Sequence, residues 1–376
     1  MATSTPTTAT SPWSIVKTIR QSPPVDLEAP YDTASLAGKT ILITGGASGF
    51  GAAFARKWAS HGSHIIIGDV NDQAGEAIVA ELRSLPNSSQ HHHYQHCDVT
   101  NWSDQVALFK LAAKASPTGG IDAVVAGAGI VDHAAPDSGR AFDHPGDLTA
   151  DAPPAPPLNV LAVNLTGVMY TSHLALFWLD RNGTTAEGKL RDRHLLLVSS
   201  IAGMIPLPGQ TEYAASKHAV VGLFRTLRGT VWQRGIRCNV VCPYFVHTPL
   251  MPTVGVALLA GSGMAQLEDV VDAATRLMAD EGIVGRGLVI GPKFRVVDGE
   301  DGEMRLELRG EEMGNGREKA VWEAYAHDYE QVEVFVYRFV QMLNALKAVR
   351  GWVATVKDLY SIYVRGRRVE KGVKTT

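Results

Sequence analysis

A chain of 376 residues with 35 basic and 38 acidic side chains carries a net charge of −3, without the basic excess that nucleic-acid partners demand. Hydrophobic residues at 45% and charged residues at 19% supply a core and exclude globally disordered and collagen-like chains. Three cysteines are too few for a disulfide framework, no apolar run reaches the roughly 20 residues of a membrane span, and the opening residues lack a secretory pattern, so a soluble cytoplasmic protein is expected.

Residues 1–38 read as a flexible leader rich in Ser, Thr and Pro. Patterning starts at the apolar run Lys39–Thr44, which ends in Gly45-Gly46 and predicts a buried strand and a turn. A helix follows to about Ser60, then a strand at His64–Asp69. The alternation continues with a helix at 72–84, a strand at 94–97, a helix at 103–115 and a strand at Ile121–Val125. Strands separated by helices predict βαβ units and a parallel sheet covered on both faces. Residues 131–158 interrupt the rhythm with many prolines and read as a long surface excursion. The rhythm resumes with a helix at 159–180, a strand at His194–Ser199, a helix at 213–233 and a strand at Arg237–Cys242. A helix at Leu267–Asp280 and a strand at Gly287–Ile290 complete about seven strands and close the domain near residue 291.

The tail, 292–376, predicts a hairpin from Phe294–Val297 and Met304–Leu308. A long amphipathic helical segment follows. Its stripe of Val332, Phe335, Phe339, Met342, Leu346, Val349, Val353, Val356, Tyr360 and Tyr363 steps by threes and fours and is expected to pack on the catalytic domain or a partner subunit, ahead of a membrane surface. The fold class expected is α/β, a Rossmann-type doubly wound parallel sheet carrying this hairpin and helix as additions.

Three signals carry chemistry. Thr44-Gly45-Gly46-Ala47-Ser48-Gly49-Phe50-Gly51 lies between a strand and a helix. Glycines there permit a tight turn and close approach of a pyrophosphate to the helix N-terminus. Asp69 ends the second strand, where a carboxylate can accept ribose hydroxyls and repel a 2′-phosphate, so NAD is expected over NADP. Tyr213 and Lys217 are four apart on a helix and share a face. An adjacent cation favours phenolate, and such a pair can take a proton from an alcohol. Ser200 ends an apolar strand, where parallel sheets place their ligand crevice, and Asn164 puts an amide inside the long helix.

This ordered set resembles the classical short-chain dehydrogenases/reductases over about residues 37–291. The resemblance rests on Thr44-Gly-x3-Gly49-x-Gly51, Cys97-Asp98-Val99, Ala126-Gly127-Ala128-Gly129, Asn164, Ser200, Tyr213/Lys217 and Arg237–Pro243. It implies that Tyr213 is the general acid/base and that Lys217 lowers its pKa and holds the nicotinamide ribose. Ser200 then bonds the substrate oxygen, and Asn164 holds a water that relays protons from Lys217. The implied cofactor site comprises Gly45, Ser48, Gly49, Phe50, Gly51, Asp69, Val70, Asp98, Val99, Ala128, Gly129, Pro243, Val246 and Thr248, besides Tyr213 and Lys217. Two positions depart from the family. Ala126-Gly127 stands for Asn-Asn, which ties down the sheet, and Pro243-Tyr244 stands for Pro-Gly, so Tyr244 is expected to narrow the pocket.

The activity implied is hydride transfer between NAD(H) and a secondary alcohol or ketone. Met204, Gln210, Tyr244 and His247 are the candidate substrate contacts. A mostly apolar wall suits a medium-sized hydrophobic molecule that is steroid-, prostaglandin-, terpenoid- or polyketide-like. The expected assembly is a homodimer or homotetramer. Two rival readings are a non-redox isomerase or lyase with Tyr213 as base, and an NAD-sensing regulator. The histidines 91–93 and 96 read as a solvated loop, not a metal site, and the basic end as the solvated side of a docked helix.

Overall fold

The computed structural model describes residues 19–85, 91–132, 142, 149, 151–153, 155–156, 158–185, 188–250, 263–298, 304–306, 316–325, 328 and scattered helical positions between 338 and 352. The chain divides into two units, Arg20–Ala326 and the combined ends Met1–Ile19 and His327–Thr376.

In the larger unit, β1 (Thr40–Thr44), α1 (Gly49–Ser60), β2 (His64–Asp69), α2 (Asp72–Arg83), β3 (His93–His96), α3 (Trp102–Ala115) and β4 (Ala123–Ala126) follow the expected alternation. Next come α4 (Asn159–Asp180), β5 (His194–Val198), α5 (Thr211–Leu227), β6 (Arg237–Pro243), α6 (Leu267–Ala279), β7 (Gly287–Asp298), β8 (Met304–Leu306) and β9 (Arg317–Ala324). The order across the sheet is β3-β2-β1-β4-β5-β6-β7-β8, with β9 also on β7. From β3 to β7 every pairing is parallel. The order reverses between β1 and β4, and strands β1, β4, β5 and β6 end at that crevice.

Alternate side chains of the strands feed two cores. Ile41, Ile43, Ile65, Ile67, Leu196 and Val241 pack with Phe54, Trp58 and Leu277 of α1 and α6. Leu42, Ile66, Leu195, Leu197 and Val240 pack with Phe109, Leu179 and Phe224 of α3, α4 and α5. Strands buried on both faces explain the unbroken apolar runs, and each such side chain contributes about 1.5–3 kcal/mol of burial. Polar rings join neighbouring strands too: His92 Nδ1 accepts from Ile65 N at 3.2 Å and His64 Nδ1 from His91 N at 2.9 Å. These two histidines therefore stitch β2 to the start of β3.

The structure corrects several expectations. The boundary at 291 falls inside β7, a single strand of 12 residues. The hairpin is real, with Val296 opposite Leu306, but it extends the main sheet. Strand β9, not foreseen, pairs antiparallel with β7 and covers its free edge. The helix read as 213–233 stops at Leu227, and a 3₁₀ turn at Val231–Arg234 ends on Gly235 at φ +66°. Leader residues 20–38 are not loose: Ser22 N donates to Val284 O at 3.1 Å and Val25 N to Glu323 Oε2 at 2.8 Å. Helix α4 is long and apolar enough to cross a membrane by length and composition, where no such run was expected. Its Val168, Leu174, Ala175 and Leu179 are buried in the core.

In the smaller unit, Phe339, Met342 and Val349 of the heptad stripe are helical and exposed. The other stripe members, residues 1–18, most of 133–157, Met251 and residues 307–315 lie outside the described residues.

Candidate active site

The turn after β1 needs its glycines. Gly45 has φ +72°, and a Cβ there would lie 2.6 Å from Ala128 Cα. A Cβ on Gly51 would meet Gly45 O at 2.2 Å. The N-cap of α1, Ser48, makes no side-chain cap bond, and the first turn holds no acid. Space and an uncapped positive helix end together fit a pyrophosphate. Phe50 stacks on Phe54, with centroids 6.4 Å apart, and so turns its ring toward the core.

Asp69 stands at the C-terminal end of β2. Its Oδ2 accepts from Ala47 N in the glycine turn, and its Oδ1 accepts from Asn71 N, both at 3.0 Å. The carboxylate is thus fixed against the turn. Val70 beside it is exposed. After β3, Asp98 Oδ1 accepts from Thr100 N at 2.9 Å, and Val99 is buried against Gly167, where a Cβ would meet Val99 Cγ2 at 2.7 Å. Val99 is therefore a packing residue whose O accepts from Gln105 Nε2 at 2.6 Å.

The departure at Ala126-Gly127 is compensated locally. Gly127 N donates to Thr44 Oγ1 at 3.2 Å, and Thr44 Oγ1 donates to Val125 O at 3.3 Å, which ties β1 to β4 through a hydroxyl.

Four residues converge beyond β5. Helix α4 carries a π segment, Ala162–Gly167, whose extra residue turns Asn164 inward. Asn164 is fully buried. Its Oδ1 accepts from Ile130 N and its Nδ2 donates to Ile130 O, both at 2.8 Å. A further bond runs from Nδ2 to Ser216 Oγ at 3.2 Å. Ser200 follows β5; its Oγ accepts from Ala202 N at 3.2 Å and donates to Pro243 O at 3.4 Å. Lys217 is buried; its Nζ donates to Val198 O at 3.2 Å and lies 5.6 Å from the Tyr213 ring centroid. Gly129 makes room for this meeting, since a Cβ there would stand 3.3 Å from Asn164 Oδ1 and 3.5 Å from Lys217 Nζ.

Burial dominates the titration of the pair. It pushes the Tyr213 phenol up, against a lowering hydrogen bond with Ser200. The expected depression of the phenol is therefore not seen. Burial also pulls the Lys217 ammonium down to about 8, while Cys242, buried nearby, acts the other way.

The loop after β6 closes the crevice. Pro243 and Val246 are buried, and Thr248 Cβ lies 3.9 Å from where a Gly49 Cβ would be. The substrate candidates fare unequally. Met204 is half-buried. Tyr244 packs partly on the α1/α6 core, and its ring meets Phe245 edge-on at 4.8 Å. His247 is exposed. Gln210 is engaged elsewhere, its Oε1 and Nε2 both bonded to the backbone of Asp132 at 3.2 Å.

Two carboxylates escaped the sequence reading. Asp132 accepts from the N–H groups of Glu212 and Tyr213. Burial, and then the charge of Asp132, push the Glu212 carboxyl up, opposed by backbone bonds from Val160 and Leu158. Neither residue sits in a motif, so no local signal marks them.

A doubly wound sheet with a glycine turn, and Ser, Tyr, Lys and Asn at one crevice, define a nucleotide-dependent oxidoreductase. The family model for the short chain dehydrogenases matches residues 39–256, and the chain belongs to that family, whose members act on CH–OH groups. It is 38% identical over 298 residues to a 5′-hydroxyaverantin dehydrogenase of Dothistroma septosporum, covering 75% of this chain and 95% of that one. A 5′-hydroxyaverantin dehydrogenase of Emericella nidulans is 38% identical over 284 residues, covering 72% and 89%. The fold is also that of a 3-ketoacyl-(acyl-carrier-protein) reductase from Brucella melitensis complexed with NADH, at a TM-score of 0.55 and 23% identity, covering 68% and 97%.

Proposed function

We propose that the protein oxidises a secondary alcohol of a hydrophobic secondary metabolite with NAD, or reduces the matching ketone. The convergence of Ser200, Tyr213, Lys217 and Asn164 at the strand ends carries this reading. The glycine turn and the N-terminus of α1 would hold the pyrophosphate, and Asp69 the adenosine ribose. Preference for NAD follows from Asp69, because a carboxylate fixed by Ala47 N and Asn71 N repels a 2′-phosphate. When bound, NAD supplies the hydride acceptor.

The chain's own groups do the proton work. Ser200 Oγ holds the substrate oxygen. Tyr213 as phenolate removes the hydroxyl proton, or as phenol returns it to the forming alkoxide. Lys217 stabilises the phenolate at 5.6 Å from the ring. Asn164, bonded twice to Ile130, would hold a water that relays protons between Lys217 and solvent. The alcohol class is proposed from the two relatives named for hydroxyaverantin and from the half-buried apolar Met204 and Tyr244 near Pro243.

The test is NADH absorbance with a panel of hydrophobic secondary alcohols that includes 5′-hydroxyaverantin, with wild type and Tyr213→Phe. Turnover in wild type and a loss of about a thousandfold or more in Tyr213→Phe is expected. Wild-type turnover in Tyr213→Phe would end this reading. Product formation with no net NADH change would favour the isomerase or lyase chemistry.

A further inference from the structure

Tyr213 is the third residue of α5, so its N–H is among the four that no intrahelical carbonyl can satisfy. The N-cap Gln210 makes no side-chain cap bond. The cap arrives from about 80 residues earlier in the chain. Asp132 Oδ1 accepts from Tyr213 N at 3.0 Å, and Oδ2 accepts from Glu212 N at 3.1 Å. Gln210 then closes a ring on the same residue: Asp132 N donates to its Oε1, and its Nε2 donates to Asp132 O, both at 3.2 Å.

Ile130, two residues earlier, makes a matching ring with the Asn164 amide at 2.8 Å on both sides. The strip Gly129–Asp132 that leaves β4 is thus fastened at one point to the π segment of α4 and at the next to the start of α5. Glu212, buried at that turn, lies where the start of α4 packs against α5. Three segments distant in sequence meet at the first turn of the helix that carries the tyrosine.

We infer that Asp132 is a positioning residue for the reaction, and that its carboxylate fixes the first turn of α5 and so the placement of the Tyr213 phenol against Ser200 and Lys217. The inference rests on the reading of Tyr213 as acid/base. A first turn without a cap frays, and a displacement of about 1 Å at a reacting group costs about a hundredfold in rate. Asp132 touches neither Lys217 nor the glycine turn among its hydrogen bonds, so its loss should spare cofactor binding.

The experiment uses the full chain and four variants. In Asp132→Ala, kcat should fall about tenfold or more, while KM for the alcohol and the NADH affinity read by fluorescence stay within about threefold. Asp132→Asn keeps one acceptor oxygen and should recover much of that kcat. Folded Asp132→Ala with kcat within about twofold of wild type would overturn the inference. So would a parallel loss of NADH affinity, which means a collapsed site. If Asp132→Ala does not fold, Gln210→Ala, which removes the ring but leaves the carboxylate, should show a smaller kcat loss with unchanged NADH affinity; wild-type kcat there overturns the inference as well. Tyr213→Phe separates the two levels. A dead Tyr213→Phe beside a fully active Asp132→Ala sinks only the positioning role, whereas an active Tyr213→Phe sinks the acid/base reading beneath it.

Discussion

The Lys217 ammonium stands 5.6 Å from the centre of the Tyr213 ring, and burial drives the two groups in opposite directions. The phenol is pushed up and the ammonium is pulled down to about 8. The ammonium, the cation that favours a phenolate, is therefore present below about pH 8 and is lost as pH rises through it. For alcohol oxidation, kcat/KM should fall as pH is raised beyond about 8, because the phenolate loses its counter-charge. Initial rates across the neutral to alkaline range check this. An oxidation rate that stays flat or keeps climbing well above pH 8 counts against the pair as the acid/base unit.

Asp69 does two jobs that substitution can separate. Its carboxylate holds Ala47 N and Asn71 N at 3.0 Å, and its charge faces the proposed ribose site. Asp69→Asn keeps an acceptor but removes the charge. Wild type should prefer NAD to NADP in kcat/KM by about a hundredfold, and Asp69→Asn should weaken NAD use by about tenfold while NADP use rises. Steady-state kinetics with both cofactors measure this. A wild type that prefers NADP would overturn the cofactor assignment.

Gly129 is small because two side chains need its space. A methyl there would stand 3.3 Å from Asn164 Oδ1 and 3.5 Å from Lys217 Nζ. Asn164 cannot retreat without breaking both bonds to Ile130. Gly129→Ala should lower kcat by about tenfold if the displaced groups form the proposed proton path. Tm should fall by only a few degrees, on the order of 1 kcal/mol. An active variant with wild-type Tm would show that the crevice has slack the structure does not suggest.

Much of this site was legible because its parts are local. Strand β2 is read to the residue as His64–Asp69 since three consecutive isoleucines stand between a polar residue and a Gly-Asp end. Ser200, Tyr213 and Lys217 announce themselves through one strand end and one helical spacing. Strand β9, Arg-Glu-Lys-Ala-Val-Trp-Glu-Ala, hides because an edge strand keeps its charges and buries only Ala320 fully. Asp132 hides for another reason: a cap delivered from a different segment leaves no pattern near the helix it caps. The bonds of Gln210 to Asp132 hide for the same cause, because the two residues are far apart in the chain. The direction of the phenol's pKa was not legible because spacing reveals the cation but not the depth of burial, which raises the phenol against the Ser200 hydrogen bond.

The leader offers a prediction about stability that leaves the chemistry alone. Arg276 of α6 donates to Asp26 O at 3.0 Å, Ala29 O at 2.8 Å and Leu27 O at 3.3 Å, and its guanidinium lies 4.5 Å from the Tyr31 ring centroid. Tyr31 in turn donates to Asp272 Oδ1 at 2.6 Å. Glu323 of β9 accepts from Val25 N and pairs with the buried Arg286 at 3.2 Å. Three leader carbonyls and a ring therefore depend on one arginine. Arg276→Ala leaves those carbonyls without their donor and should cost roughly 2–3 kcal/mol, at about 1 kcal/mol per bond. In a unit of about 300 residues that is a fall in Tm of several degrees. Removing residues up to 33 should lower Tm at least as much, while kcat at a temperature well below the transition stays near wild type. Calorimetry paired with initial rates decides the matter: an unchanged Tm in both variants would show that the ordered leader adds nothing to the fold.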